Sequence, residues 1–246
     1  MAFFLPIGIV SLLLISSSII TNKLKLTNYE KPIYICGFIV LFLNYIYFNF
    51  LFNFEIISIL LLTLSIVSII HLIIKKHNLL KDLKNLIIPI LPILFFFQLI
   101  FYFYGEQFYV FRGNQQDTMV YLTTGITFFN NNYSDLLNFQ LTNNNFPNDR
   151  YYLNLSLNLI EYRPTVGLLI GLLSNLKFIN IIVIGYIFKI LCTCLTIFSC
   201  MTFFDVFEKN KIRKILLSYT FILSIFYFYN FEIDAFSLIL SLPFFI

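Results

Sequence analysis

Residues 164–204 read PTVGLLIGLLSNLKFINIIVIGYIFKILCTCLTIFSCMTFF, about forty nearly apolar positions in which Lys177 and Lys189 are the only charges. The number of times this stretch crosses a membrane decides the topology of everything after it. A helix needs roughly 20 apolar residues to cross a hydrocarbon core of about 30 Å, so the length admits one span or two. Lys209, Lys211, Arg213 and Lys214 follow. The excess of Lys and Arg on cytoplasmic connections puts that cluster inside, which one span achieves and two do not, provided the preceding loop lies outside. The expectation is a single span over about Ile190–Phe207, with Lys189 snorkelling to the outer interface. Pro164–Gly185 would then lie along the membrane surface.

The composition agrees with a membrane setting. The 246 residues are 59% hydrophobic and 11% charged, with a mean hydropathy of +0.87, which excludes an ordinary soluble domain. The apolar runs do not alternate with polar residues, so they read as helices rather than barrel strands. No P-loop or Gly-x-Gly-x-x-Gly is present. Cys36, Cys192, Cys194 and Cys200 all fall in apolar runs. Cys192 and Cys194 stand two apart without a second ligand pair or a nearby histidine, and the cysteines read as lipid-buried small hydrophobes rather than a zinc site.

Upstream, apolar runs cover Phe3–Ile20, Ile33–Phe50, Ile56–Ile74 and Leu86–Tyr104, the last with Pro89 and Pro92 expected in its first turns. The connection with Lys23, Lys25 and Lys31 is basic, as is the one with Lys75, Lys76, Lys81 and Lys84, whereas the connection near Asn53 and Glu55 is neutral. This alternation places the N-terminus outside and the fourth run leaving to the outer face. Downstream, Ile215–Tyr229 returns to the outside, where Glu232 and Asp234 stand. Ala235–Ile246 is too short to span, so the reading expects a piece of a longer protein. The predicted fold is therefore all-α and polytopic, with about six complete transmembrane helices and a truncated seventh. It divides into a four-helix membrane module, 1–105, and a core, 106–246.

The long polar interval, Tyr109–Pro164, holds Arg112, Asp117, Glu161 and Arg163 and is expected on the extracytoplasmic side. Met119, Leu122, Ile126 and Phe129 recur at three- and four-residue steps, predicting a surface amphipathic helix over Thr118–Phe129 that Asn130–Asn132 ends. Asp117 and Tyr121 then share a face, one turn apart. Asp117 in that place also complements a helix macrodipole, and Arg163 before Pro164 suits either a headgroup anchor or a clamp on a lipid phosphate. Gly167 and Gly171 form a Gly-x-x-x-Gly that permits close helix packing. Acids and an arginine converging on the outer surface suit transfer of a group from a lipid phosphate.

The order of these features resembles the GT-C glycosyltransferases, in the bacterial polyprenyl-phosphate-sugar-dependent branch related to protein mannosyltransferases and aminoarabinose transferases. Asp117-Thr118-Met119-Val120-Tyr121 is similar to the acid setting of their first outer loop, and Arg163-Pro164-Thr165-Val166-Gly167-Leu168-Leu169 to the element that follows it. Lys189-Ile190 and Glu232-Ile233-Asp234-Ala235-Phe236 resemble the next two signatures. The chain departs from the pattern in its four helices before the loop, in Asn114-Gln115-Gln116 before the acid, and in Thr165 where a second proline is usual. The resemblance implies an integral cell-membrane enzyme that moves a sugar from a polyprenyl-phosphate donor to an unknown acceptor in the cell envelope. No nucleic acid is implied. Asp117, Glu161 and Asp234 would be catalytic, and Arg163, Tyr121 and Arg112 would bind substrate. Glu161 and Asp234 would orient acceptor or sugar, or hold a divalent metal ion. The rival expectation is a transporter or lipid-handling protein, marked by ionisable residues inside the bundle.

Overall fold

The computed structural model describes residues 26–49, 63, 70, 79–104, 116–130, 164–174, 181–224 and 236–246. Every regular element among them is a helix: α1 Glu30–Asn49, α2 Leu79–Tyr104, α3 Gln116–Asn130, α4 Pro164–Ser174, α5 Ile181–Phe204, α6 Lys211–Ile222 and α7 Phe236–Phe245. The all-α expectation holds for these residues. Helix α5 is the axis of the bundle and packs against each of the other six. Ile184, Ile187, Phe188, Ile190, Ile197 and Phe198 on it are almost wholly enclosed.

Local chemistry explains where the helices begin. In Thr27-Asn28-Tyr29-Glu30 the Thr27 amide donates to Glu30 Oε2 at 2.7 Å, and the Glu30 amide donates to Thr27 Oγ1 at 3.3 Å. This is a reciprocal capping box, so Glu30 serves as a helix-start acid. Thr27→Ala is expected to lower stability by about 1 kcal/mol and Thr27→Ser to leave it nearly unchanged, read as thermal unfolding. At α6 the Asn210 side chain accepts from the amides of Ile212 and Arg213. The exposed Glu208 carboxylate takes the Asn210 amide at 2.8 Å, and that bond, ahead of the charge of Arg213, holds its pKa below the usual range.

Three contacts gather the basic segments at one end. The Tyr29 ring stacks on Phe198 with centroids 6.1 Å apart. Burial, and then the nearby Asp205 carboxylate, pushes its phenol above the ordinary value. Asp205 in turn pairs with Lys214. One turn before Lys214, Lys211 Nζ donates to Asn85 Oδ1 at 3.0 Å. The start of α1, the first turns of α2 and the α5–α6 connection therefore meet. Asn44, fifteen residues beyond Tyr29 and so about 22 Å along α1, belongs to the opposite end.

Four expectations change. Helix α2 begins at Leu79, not Leu86, so Pro89 and Pro92 lie inside it rather than in its first turns. Its early turns, Leu79–Asn85, are polar enough to escape a hydropathy reading, yet they are helical. Helix α5 begins at Ile181, not Ile190, and ends at Phe204. Lys189 is consequently about 12 Å inside the helix by its rise and not at the outer interface. The expected surface helix, Pro164–Gly185, ends at Ser174, and every residue from Val166 to Gly171 is buried against neighbouring helices. It is a core element. The cysteines, finally, face protein: Cys192, Cys194 and Cys200 are enclosed and Cys36 is half-buried. The runs Phe3–Ile20 and most of Ile56–Ile74 lie outside the described residues.

Helices α1 and α2, from the expected N-terminal module, contribute Ile35, Leu86, Ile90 and Phe97 to the buried set that α5 centres. The two halves of the chain thus meet through α5 in what is described.

Candidate functional site

Helix α3 carries the Asp117–Tyr121 pair, and α4 starts immediately after Arg163. These two helices form the most extensive helix–helix contact in the described protein. The close approach is made possible by a missing side chain. A Cβ added at Gly125 would stand 2.4 Å from Ile170 Cγ2, 2.9 Å from Ile170 Cβ and 3.2 Å from the Gly171 amide nitrogen. Only hydrogen fits there. Gly171, the second glycine of the Gly-x-x-x-Gly, is thus in close helix packing as expected, with Gly125 as the unforeseen partner.

The face of α3 turned to the protein mixes apolar with small residues: Val120, Tyr121, Leu122, Thr124, Gly125 and Thr127 are buried. Thr124 and Thr127 satisfy their hydroxyls on the carbonyls one turn back, Val120 at 2.7 Å and Thr123 at 2.8 Å. The predicted apolar stripe is divided. Ile126 points away from the protein at 39% exposure, whereas Leu122 is buried at 3% and meets the Gly185 position of α5. The helix bounds, Gln116–Asn130, agree closely with the predicted Thr118–Phe129.

Asp117 is the second residue of α3, in its first turn, one turn before Tyr121. That position suits an acid that complements the helix macrodipole. Tyr121 is 5% exposed, and its ring is part of the hydrophobic core rather than of an open binding surface. Arg112, Glu161, Arg163 and Asp234 lie outside the described residues, as does the Asp117 side chain. Among the described residues no group of three or more His, Cys, Asp or Glu could hold a metal ion.

Three polar contacts escaped the sequence reading. Asn44 Nδ2 donates to Thr165 Oγ1 at 3.2 Å and also to the Val40 carbonyl at 2.8 Å. This joins the far part of α1 to the residue two after Arg163. The Tyr186 hydroxyl donates to the Phe97 carbonyl at 3.1 Å, with the two rings edge to face at 5.9 Å. Tyr219 donates to the Pro89 carbonyl at 2.7 Å and accepts from the Ile93 amide at 3.1 Å. Each links positions 89 to 130 residues apart, beyond any local pattern.

No family model matches the chain, and no curated protein or solved structure matches it. The resemblance to the GT-C enzymes therefore rests on the motifs quoted above.

Proposed function

We propose that this chain is a polytopic membrane glycosyltransferase that takes its sugar from a polyprenyl phosphate at the extracytoplasmic face. The membrane part of the reading is supported by where apolar surface is left uncovered. Helix α1 exposes Tyr34, Phe38, Leu41, Phe42 and Tyr45, and α2 exposes Ile88, Leu91, Phe95, Phe96 and Leu99. These are outward stripes at helical spacing, the contiguous kind of apolar face that marks a membrane or partner surface. Helix α5 is long and apolar enough to cross a bilayer but is mostly covered by protein, as the central helix of a bundle would be. The three basic segments share one end, which suits one cytoplasmic face.

The observation that carries the enzymatic part is the α3–α4 pair. Two motif-bearing segments more than thirty residues apart in sequence are locked together through Gly125. On this reading Asp117 takes the proton of the acceptor hydroxyl as its oxygen bonds to the anomeric carbon. The bond from that carbon to the phosphate oxygen breaks with inversion, and Arg163 holds the departing polyprenyl phosphate. Asn44 fixes Thr165 and through it the start of α4. Tyr121, being in the core, fixes α3 rather than touching sugar.

Native mass spectrometry of the full-length protein in detergent, titrated with undecaprenyl phosphate, tests this. The wild type is expected to bind it in preference to undecaprenol, and Arg163→Ala to weaken binding by roughly tenfold. Equal binding of phosphate and alcohol, or none of either, would sink the donor assignment. The depth of Lys189 in α5 favours a second reading, a transporter with a charged residue on its path. In that case Lys189→Ala removes anion binding and Arg163→Ala leaves it unchanged.

A further inference from the structure

We propose that the basic end of the molecule carries a binding site for the phosphate of an anionic phospholipid, formed where Lys84 of α2 meets Lys211 of α6. The inference rests on the membrane reading above but not on the enzymatic one. Lys211 Nζ bonds to Asn85 Oδ1 at 3.0 Å, which brings its ammonium against the turn of α2 that bears the exposed Lys84. Two cationic residues from connections more than a hundred residues apart are thus brought to one place, near enough for the charge of Lys84 to act on Lys211.

The carboxylates described at this end are already engaged. Lys214 pairs with Asp205, Arg213 lies 3.6 Å from Glu208, and Glu30 is engaged in the α1 capping box. Lys84 and Lys211, with the exposed Lys209 whose ammonium reaches only the Asp205 carbonyl at 3.4 Å, are positive charges that these described carboxylates do not neutralise. Partial burial, then Lys214 and Lys84, hold the Lys211 pKa below its ordinary value, so an added anion would relieve crowding. A phosphate accepts several charge-assisted bonds and suits paired ammonium groups.

The surroundings select a lipid over a free anion. Beside the lysines stand Ile212 at 69% exposure and Leu216 at 61% on α6, with Ile88 and Leu91 outward on α2. Helices α2 and α6 run in the same direction, because Lys211 meets Asn85 and Tyr219 meets Pro89 and Ile93. The cations therefore lie at one end of a strip of apolar side chains on two parallel helices. That is the order of a headgroup and its acyl chains.

The test is native mass spectrometry of the full-length protein with phosphatidylglycerol and phosphatidylcholine, alongside flotation with vesicles of each. Wild type should prefer phosphatidylglycerol, and Lys84→Gln with Lys211→Gln should weaken its binding roughly 20- to 30-fold. Two controls keep the result specific. Lys209→Gln with Arg213→Gln removes the same charge from the same end of the molecule and should weaken binding clearly less, while Lys84→Arg with Lys211→Arg should retain it. Equal losses in the two Gln pairs, or no preference in wild type, would overturn the site while flotation with phosphatidylcholine vesicles leaves the membrane reading intact. Failure of wild type to float with either vesicle would sink both.

Discussion

Replacing Gly125 by leucine is expected to break the α3–α4 pair and to destabilise the protein by about 3 kcal/mol or more, the upper end for over-packing a closed site. The reasoning starts from distances. A single added methyl would already overlap Ile170, whose Cγ2 is 2.4 Å and Cβ 2.9 Å from the added atom. Ile170 is completely enclosed, so its side chain has nowhere to swing. Behind it the Gly171 amide nitrogen at 3.2 Å is backbone and moves only with the helix. Gly125→Ala should therefore destabilise as well, despite alanine's better helix propensity. The informative experiment is a double-mutant cycle read by thermal unfolding in detergent. Ile170→Ala alone should cost about 2–4 kcal/mol through its cavity, but in the Gly125→Ala background it should cost much less, because one change fills what the other empties. Additive losses would mean that the two helices do not meet there. Donor binding gives a second readout: if α3 and α4 carry the two halves of one site, Gly125→Leu should lower affinity for undecaprenyl phosphate at temperatures where the protein remains folded.

The extent of α3 was legible because its signals agree: an apolar rhythm at helical spacing, and Asn130–Asn132 to stop it. Its orientation was less so. Pattern alone turns the apolar stripe of Ile126 toward something greasy, and cannot say that the buried side would include the threonine and glycine positions. That outcome depends on Gly125 finding a backbone to approach. The short Pro164–Ser174 helix illustrates the same gap. Its apolarity suits a membrane surface and a protein core equally, and only the neighbours decide. The start of α5 is hidden for a different reason: the charge of Lys189 suggests a boundary, whereas backbone capping sets a helix end and a long lysine stem tolerates burial. A signal was present, since Asn180 directly precedes Ile181 and is a favoured cap residue. For the site, the spacing of Asp117 and Tyr121 is that of one turn of α3, and the burial of Tyr121 among core side chains is what local spacing does not reveal. Asn44, Tyr186 and Tyr219 could not be found from local spacing, because each works on a partner far away in the chain.

Tyr219 leads to the other large effect. Inside α2, Pro89 and Pro92 remove two amide donors, and the proline rings push against carbonyls one turn back. The Tyr219 hydroxyl stands between the Pro89 carbonyl and the Ile93 amide, the pair that a regular helix would join directly. It donates to one and accepts from the other, so a side chain from α6 bridges the ladder where the prolines distort it. Tyr219→Phe keeps the ring and removes the bridge. Leaving two backbone groups unsatisfied is expected to destabilise by about 2–4 kcal/mol. The loss should depend on the prolines. In a Pro92→Ala background α2 regains a donor and can close its ladder, so Tyr219→Phe should then cost less than about 1 kcal/mol. Thermal unfolding of the four proteins measures this coupling. An equal loss with and without Pro92 would show that the hydroxyl serves packing at α6 and not the backbone of α2. A loss confined to the proline-containing protein would identify Tyr219 as what lets α2 keep two prolines in its interior, and would tie the angle of α2 to the position of α6.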